Sequence, residues 1–218
     1  MEDGNLNEME ESYLPDSYML DLKNELENIE NKNAITLIHL GIIYYENFLE
    51  EKAFDCWIKS LDIKPYALAY RNLSIYYKNK DEYDKAIFYM EKAIKIFENK
   101  NKLTDEAFLV EYLELLSYAK DYNKIISIYE KYNKNEKISI FAARAYLERK
   151  EYKKLENIFN IEQITIREGE NYLLDIYFEY IAKLKSEREN IEFNNELIKK
   201  IRIEEKAPEN LDFRMVKR

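Results

Sequence analysis

Apolar side chains between residues 34 and 66 recur at intervals of three and four, which is the period of an amphipathic helix. Leu37, Leu40 and Tyr44 belong to a first run, and Ala53 and Trp57 to a second. Proline cannot continue a helix, and Pro65 follows the second run. The pattern therefore predicts a pair of helices.

The same pattern returns 33 residues later, and it resembles the tetratricopeptide repeat. That repeat alternates small and large packing residues, so that one helix fits closely against the next. Gly41 is the small residue of the first helix. The second copy carries Tyr70, Leu73, Ser74 and Tyr77, then Ala86, Met90 and Ala93.

Two further copies are weaker. Tyr122, Ile125 and Tyr129 mark a third unit. The fourth carries Ala142, Ala143, Tyr146, Tyr152, Leu155 and Phe159. Polar clusters such as 79–81, 119–121 and 149–151 precede a Tyr that begins each second helix. Together these units predict an all-α, right-handed α-solenoid of about four tetratricopeptide repeats with N- and C-terminal capping helices.

The segments outside the repeats are predicted to cap them. Met19, Leu22, Leu26 and Ile29 form an apolar stripe that could cover the first repeat. After the repeats we expect an extended connector at 164–166 and helices at 170–185 and 195–204. The predicted organisation is an acidic disordered arm (1–15), a capping helix (16–33), four repeats (34–66, 67–105, 106–135, 136–163) and C-terminal helices with a tail (164–218).

Charge is concentrated at one end of the chain. Residues 1–30 hold ten acids and one base, whereas the remainder holds 33 of each. A neutral body with an acidic arm does not favour nucleic acid or anionic lipid, so we expect neither nucleic-acid nor membrane partners. The first residues resemble no signal peptide, and one cysteine among 218 residues fits a reducing, cytoplasmic setting.

Several strings resemble the C-terminal repeat region of large bacterial proteins whose N-terminal part is a β-rich domain of unknown function, thought to handle carbohydrate. These strings are 40–45 with 57–61, 70–73, 166–170 and 211–215. The last two lie outside the repeat consensus, so shared repeat packing does not account for them. The resemblance implies a helical module that associates with such a domain.

The candidate binding surface follows from the first helix of each repeat, because these helices line the concave groove of tetratricopeptide proteins. Aromatic, cationic and amide groups suit peptide recognition. The predicted binding residues are Ile38, Ile42, Tyr45, Arg71, Asn72, Ile75 and Lys78. Each could instead pack between repeats, and Arg71 could pair with an acid of the preceding helix.

No residue pattern indicates catalysis, a metal or a cofactor. His39 and Cys56 have no second histidine or cysteine with which to share a metal. A chaperone-tail clamp is disfavoured, because Ile38, Ile42 and Glu111 stand where cations and amides are needed. We therefore expect a non-catalytic scaffold that binds a protein or peptide. The alternative is an accessory module that associates with or oligomerises a carbohydrate-active β-rich partner.

Overall fold

The computed structural model describes residues 19–99, 104, 106–132, 136–160 and 172–211, and within these ranges it is helical without a β-strand. The eleven helices of the described residues are α1 (Met19–Glu27), α2 (Ala34–Glu46), α3 (Glu50–Ile63), α4 (Ala67–Lys78), α5 (Tyr83–Asn99), α6 (Glu106–Tyr118), α7 (Tyr122–Lys131), α8 (Glu136–Glu148), α9 (Tyr152–Phe159), α10 (Tyr172–Glu189) and α11 (Asn195–Glu204). This confirms the predicted all-α class, and the connector predicted at 164–166 lies outside the described residues.

The pair α2–α3 shows how the repeat pattern produces close packing. Asn33 caps α2, because its side-chain oxygen accepts a hydrogen bond of 2.8 Å from the Thr36 amide. The Trp57 indole of α3 is 2% exposed and donates to the Ile38 carbonyl at 3.2 Å. Ser60, also in α3, donates to the Ala34 carbonyl at 2.9 Å. These side-chain bonds supplement the apolar contacts between the two helices.

The turn after each first helix has the same backbone conformation. One residue in every turn has a positive φ of 52–61°. The five residues are Phe48, Asp81, Lys120, Lys150 and Asn190. Asn190 lies between α10 and α11, so the turn that joins these two C-terminal helices shares this feature. The predicted second-helix starts at Tyr83, Tyr122 and Tyr152 are confirmed.

The described residues fall into two compact units, within Met1–Ala119 and Lys120–Arg218. In unit 1, α1 packs on α2, and the pairs α2–α3 and α4–α5 form the most extensive contacts. Leu26 of α1 is fully buried in the core of the first hairpin. In unit 2, α8 contacts α7, α9 and α10, and α11 packs on α10.

A tyrosine–glutamate hydrogen bond recurs between neighbouring helices. In unit 1, Tyr44 of α2 donates to Glu27 of α1 at 2.8 Å, and Tyr112 of α6 donates to Glu91 of α5 at 2.8 Å. Burial, with the bond to Glu27, raises the pKa of Tyr44 well above its ordinary value.

The same tyrosine–glutamate bond joins two further pairs of neighbouring helices. Tyr76 of α4 donates to Glu51 of α3 at 3.1 Å. In unit 2, Tyr180 of α10 donates to Glu156 of α9 at 2.5 Å, and burial again raises the Tyr180 pKa. The rings of these four tyrosines therefore pack between helices, and their hydroxyls donate to glutamates of the neighbouring helix.

Candidate interaction surface

The predicted binding residues all lie on α2 and α4, the first helices of the first two hairpins. Ile38 has no exposed surface and Asn72 is 5% exposed, so both side chains are part of the interior. The other five are half-buried, which leaves part of each side chain available for contact: Ile42, Tyr45, Arg71, Ile75 and Lys78. We call the surface of unit 1 that carries these five residues the first-helix face.

Arg71 is fixed by the next first helix of unit 1. Its guanidinium forms a two-pronged bond with Glu111 of α6, in which Nε donates to Oε2 at 2.7 Å and Nη2 donates to Oε1. The guanidinium also lies 5.6 Å from the centre of the Phe108 ring. The acid that pairs with Arg71 therefore lies on α6, the next first helix, and not on the preceding helix α3, which was the sequence-based alternative.

Lys78, the last residue of α4, repeats this arrangement about two turns after Arg71. Its Nζ lies 2.9 Å from Glu114 of α6 and 6.0 Å from the centre of the Tyr118 ring. Glu111 and Glu114 are therefore part of the face. The sequence pattern placed Glu111 in the groove only as an obstacle to an acidic tail, and neither glutamate was among the predicted binding residues. Their spacing of three in α6 matches neighbouring positions on one helix surface, which is the signal that could have found them.

Tyr45 connects the first two hairpins of unit 1. Its ring centre lies 5.5 Å from that of Trp57, and its hydroxyl accepts a hydrogen bond of 2.6 Å from the Asn79 amide. Asn79 is the C-cap of α4, so Tyr45 links the C-terminal end of α2 to the C-terminal end of the neighbouring first helix. Both side chains are therefore positioned by contacts within unit 1.

Asn72 and His39 occupy the same register in α4 and α2, and both side chains are buried. The Nδ2 atom of Asn72 is a buried donor with no hydrogen-bond acceptor among the described residues. Such donors are uncommon in folded proteins, because the buried group loses its hydrogen bonds to water and gains none within the protein. Asn72 therefore lies beneath the first-helix face and not on its outer side.

The electrostatics of the face are balanced. Each of its two cations, Arg71 and Lys78, is paired with a glutamate of α6. An acidic peptide tail would have to displace these carboxylates, which agrees with the expectation that a chaperone-tail clamp is disfavoured.

The Cys56 thiol of α3 is buried. Burial raises the pKa of the Cys56 thiol, and this opposes formation of a nucleophilic thiolate. Across the described ranges, no three His, Cys, Asp or Glu side chains are grouped so that they could hold a metal ion. None of the described helices is long and apolar enough to span a bilayer.

A sequence model of the tetratricopeptide repeat matches residues 67–100, which hold α4 and α5. The match supports a tetratricopeptide repeat protein, and such repeats generally mediate protein–protein interactions. No curated protein matches the chain. Of the strings that resemble the large bacterial proteins, 166–170 and 212–215 lie outside the described residues, so that resemblance remains a prediction.

Proposed function

We propose that this chain is a non-catalytic interaction scaffold that binds a peptide or protein segment on the first-helix face of unit 1. The observation that carries the proposal is the way Arg71 is presented. Its guanidinium is oriented by Glu111 and by the Phe108 ring, while its side chain stays partly exposed at 13%. A preoriented arginine beside aromatic rings is a common anchor of protein interfaces.

The composition of the face favours a protein ligand. Ile42 and Ile75 supply half-buried apolar surface, and Tyr45 supplies an aromatic ring whose hydroxyl is already bonded. Rigid aromatic and apolar groups lose little conformational freedom when a ligand binds. Because the cations are paired with acids, the favoured ligand is a segment of mixed or neutral charge.

The alternative function is an accessory module for a carbohydrate-active β-rich partner. It is supported by the sequence resemblance alone. A neighbouring reading frame that encodes such a domain would favour this alternative, and binding of that purified domain to the chain would test it directly.

The experiment uses two substitutions that break the same ion pair from opposite sides. A partner is first captured from the native organism, identified, purified and titrated against the full chain. Arg71→Ala should weaken its binding about tenfold or more, as loss of an anchor does. Glu111→Ala keeps the Arg71 cation but removes the carboxylate that orients it, so it should weaken partner binding less than Arg71→Ala does. Both variants should lose a similar free energy of unfolding.

Arg144→Ala is the matched control. Arg144 pairs with Glu179 of the next first helix of unit 2 at 2.5 Å, an arrangement like that of Arg71. The Arg144→Ala variant should lose a similar free energy of unfolding and bind the partner with unchanged affinity. If Arg71→Ala and Glu111→Ala both bind the partner as the wild type does, the first-helix face of unit 1 is not the binding site.

A further inference from the structure

Two pairs of tyrosines in unit 1 stack with nearly parallel rings. Tyr83 of α5 lies against Tyr118 of α6, with 5.0 Å between the ring centres and 18° between the ring planes. Tyr77 of α4 lies against Tyr89 of α5, with 5.4 Å between the ring centres and 5° between the ring planes. We call them the Tyr83–Tyr118 pair and the Tyr77–Tyr89 pair.

The two pairs differ in exposure and in their acid partners. Tyr118 is 58% exposed, whereas Tyr77 and Tyr89 are both half-buried. The Tyr83 hydroxyl donates to Oδ1 of the exposed Asp81 at 3.0 Å. Within the part of the chain that the structure describes, neither Tyr77 nor Tyr89 donates to a carboxylate. The Tyr83–Tyr118 pair therefore combines an open ring with a proton acceptor, and the Tyr77–Tyr89 pair does not.

The surroundings of Tyr83 suit the loss of an electron from its ring. The hydrogen bond to Asp81 raises the pKa of Tyr83, and the neighbouring Tyr118 acts in the same direction. The phenol is therefore protonated near neutral pH, and an electron leaves its ring readily only if a base takes up the proton at the same time. The Asp81 carboxylate is within hydrogen-bond reach of that proton.

We propose that Tyr83 and Tyr118 form a site of oxidative cross-linking, at which a peroxidase converts the stacked pair into dityrosine. Each ring loses one electron and each hydroxyl one proton, that of Tyr83 to Asp81 and that of Tyr118 to solvent. The two phenoxyl radicals then form a carbon–carbon bond between ring positions ortho to the hydroxyls. The hydrogens displaced from these carbons return to the two oxygens. One hydrogen peroxide accepts the two electrons and two protons and yields two waters.

Stacking favours this product, because the two rings are held together before either is oxidised. Residues 83 and 118 are 35 positions apart, so the new bond joins α5 covalently to α6, on which it packs. Such a cross-link restricts the unfolded chain in the way a disulfide does and therefore raises the melting temperature. The Tyr118 ring centre lies 6.0 Å from Nζ of Lys78, but the cross-link does not depend on a ligand at the first-helix face.

The test treats the full-length chain with a peroxidase and hydrogen peroxide. The sample is an equal mixture of unlabelled and heavy-isotope-labelled chains, and linked tryptic peptides are identified by mass spectrometry through the loss of two hydrogens. We expect peptides 81–85 and 103–120 of one chain to be linked at Tyr83 and Tyr118, with a yield about fivefold or more above that of the Tyr77–Tyr89 pair. The oxidised chain should also melt at a higher temperature.

Two variants separate the roles of the residues. Asp81→Asn suits the positive φ of this turn and removes the proton acceptor, so the yield at Tyr83 and Tyr118 should fall severalfold while that of the Tyr77–Tyr89 pair stays the same. Tyr83→Phe should abolish the first link alone. Equal yields at the two pairs, or links only between chains of different isotope, would overturn the proposal. An unchanged yield in Asp81→Asn would contradict the part assigned to Asp81.

Discussion

Gly41 lies where α2 comes closest to the Trp57 indole of α3. A Cβ atom added at Gly41 would lie 2.7 Å from Cδ1 and 3.0 Å from Cε2 of that ring. Real Cβ atoms do not approach a neighbour so closely, and the indole cannot move freely, because its Nε1 donates to the Ile38 carbonyl. The absence of a side chain is therefore a packing requirement at this position.

We predict that Gly41→Ala lowers the free energy of unfolding by about 1–3 kcal/mol through overpacking, and that Gly41→Leu lowers it further. Helix propensity alone would make the alanine variant more stable by roughly 1 kcal/mol, so the sign of the change is diagnostic. Urea unfolding followed by circular dichroism measures it. In a Trp57→Phe background the cost of Gly41→Ala should shrink, and a more stable single variant would show that the indole moves aside.

Phe48 is the unusual member of the five turn residues with positive φ. Its φ is 61°, and its side chain is 91% exposed, so it gains no burial in exchange for an unfavourable backbone conformation. The equivalent residues Asp81 and Asn190 are of types that adopt this conformation more readily.

We predict that Phe48→Asn raises the free energy of unfolding by about 0.5–1 kcal/mol, since it relieves the backbone and removes no buried contact. The reverse change at the equivalent turn, Asn190→Phe, is the control and should destabilise. A less stable Phe48→Asn variant would mean that the phenylalanine makes a stabilising contact that its exposure does not reveal.

Helices of neighbouring hairpins are joined by the recurring tyrosine–glutamate bonds. A tyrosine with a raised pKa stays protonated in the folded state at pH values where the unfolded chain has lost the proton. The unfolded state then binds fewer protons, so the stability that these groups provide is complete below pH 10 and is lost as the pH rises through the folded-state pKa.

We therefore predict that the free energy of unfolding falls with pH above about 10, the ordinary tyrosine pKa, and that Tyr44→Phe and Tyr180→Phe each reduce this slope. Denaturant unfolding at a series of alkaline pH values provides the measurement. Ser60→Ala removes a buried bond without a titrating group, so it should lower stability and keep the wild-type slope. Unaltered slopes in both tyrosine variants would argue against Tyr44 and Tyr180, whose pKa values burial raises, as the cause.

Unit 1 is built as repeat proteins are, in which each hairpin buries its apolar surface against a neighbour. In unit 1 the first hairpin is covered by α1, which inserts the fully buried Leu26 and the half-buried Leu22, and by the half-buried Ile29 that follows α1. The tyrosine–glutamate bond between Tyr44 and Glu27 joins α1 to α2 in the same way that later hairpins are joined.

We predict that deletion of residues 1–30 lowers the melting temperature by several degrees or causes self-association, because it exposes the apolar surface that α1 covers. Thermal circular dichroism and size-exclusion chromatography give the two readouts. Deletion of residues 1–18 alone is the matched control, since it keeps α1 and should leave melting nearly unchanged. A monomeric 1–30 deletion variant that melts as the wild type does would show that α1 is not a cap.

The sequence by itself determined the helical class, the first two hairpins and the turns before Tyr83, Tyr122 and Tyr152. These features depend on residues close together in the chain, and local periodicity records them. The contact between small and large residues such as Gly41 and Trp57 is also predictable from the sequence, because a repeat consensus specifies which positions meet within one hairpin.

The tertiary structure alone decided which side chains face outward and which meet across hairpins. Arg71 and Glu111 are 40 residues apart, and their pairing depends on how hairpins stack within unit 1. Stacking also buries Ile38 and Asn72 beneath the face to which sequence reasoning assigned them. A helical period gives the direction of a side chain, but only the neighbouring helix decides whether that direction leads to solvent or to another side chain.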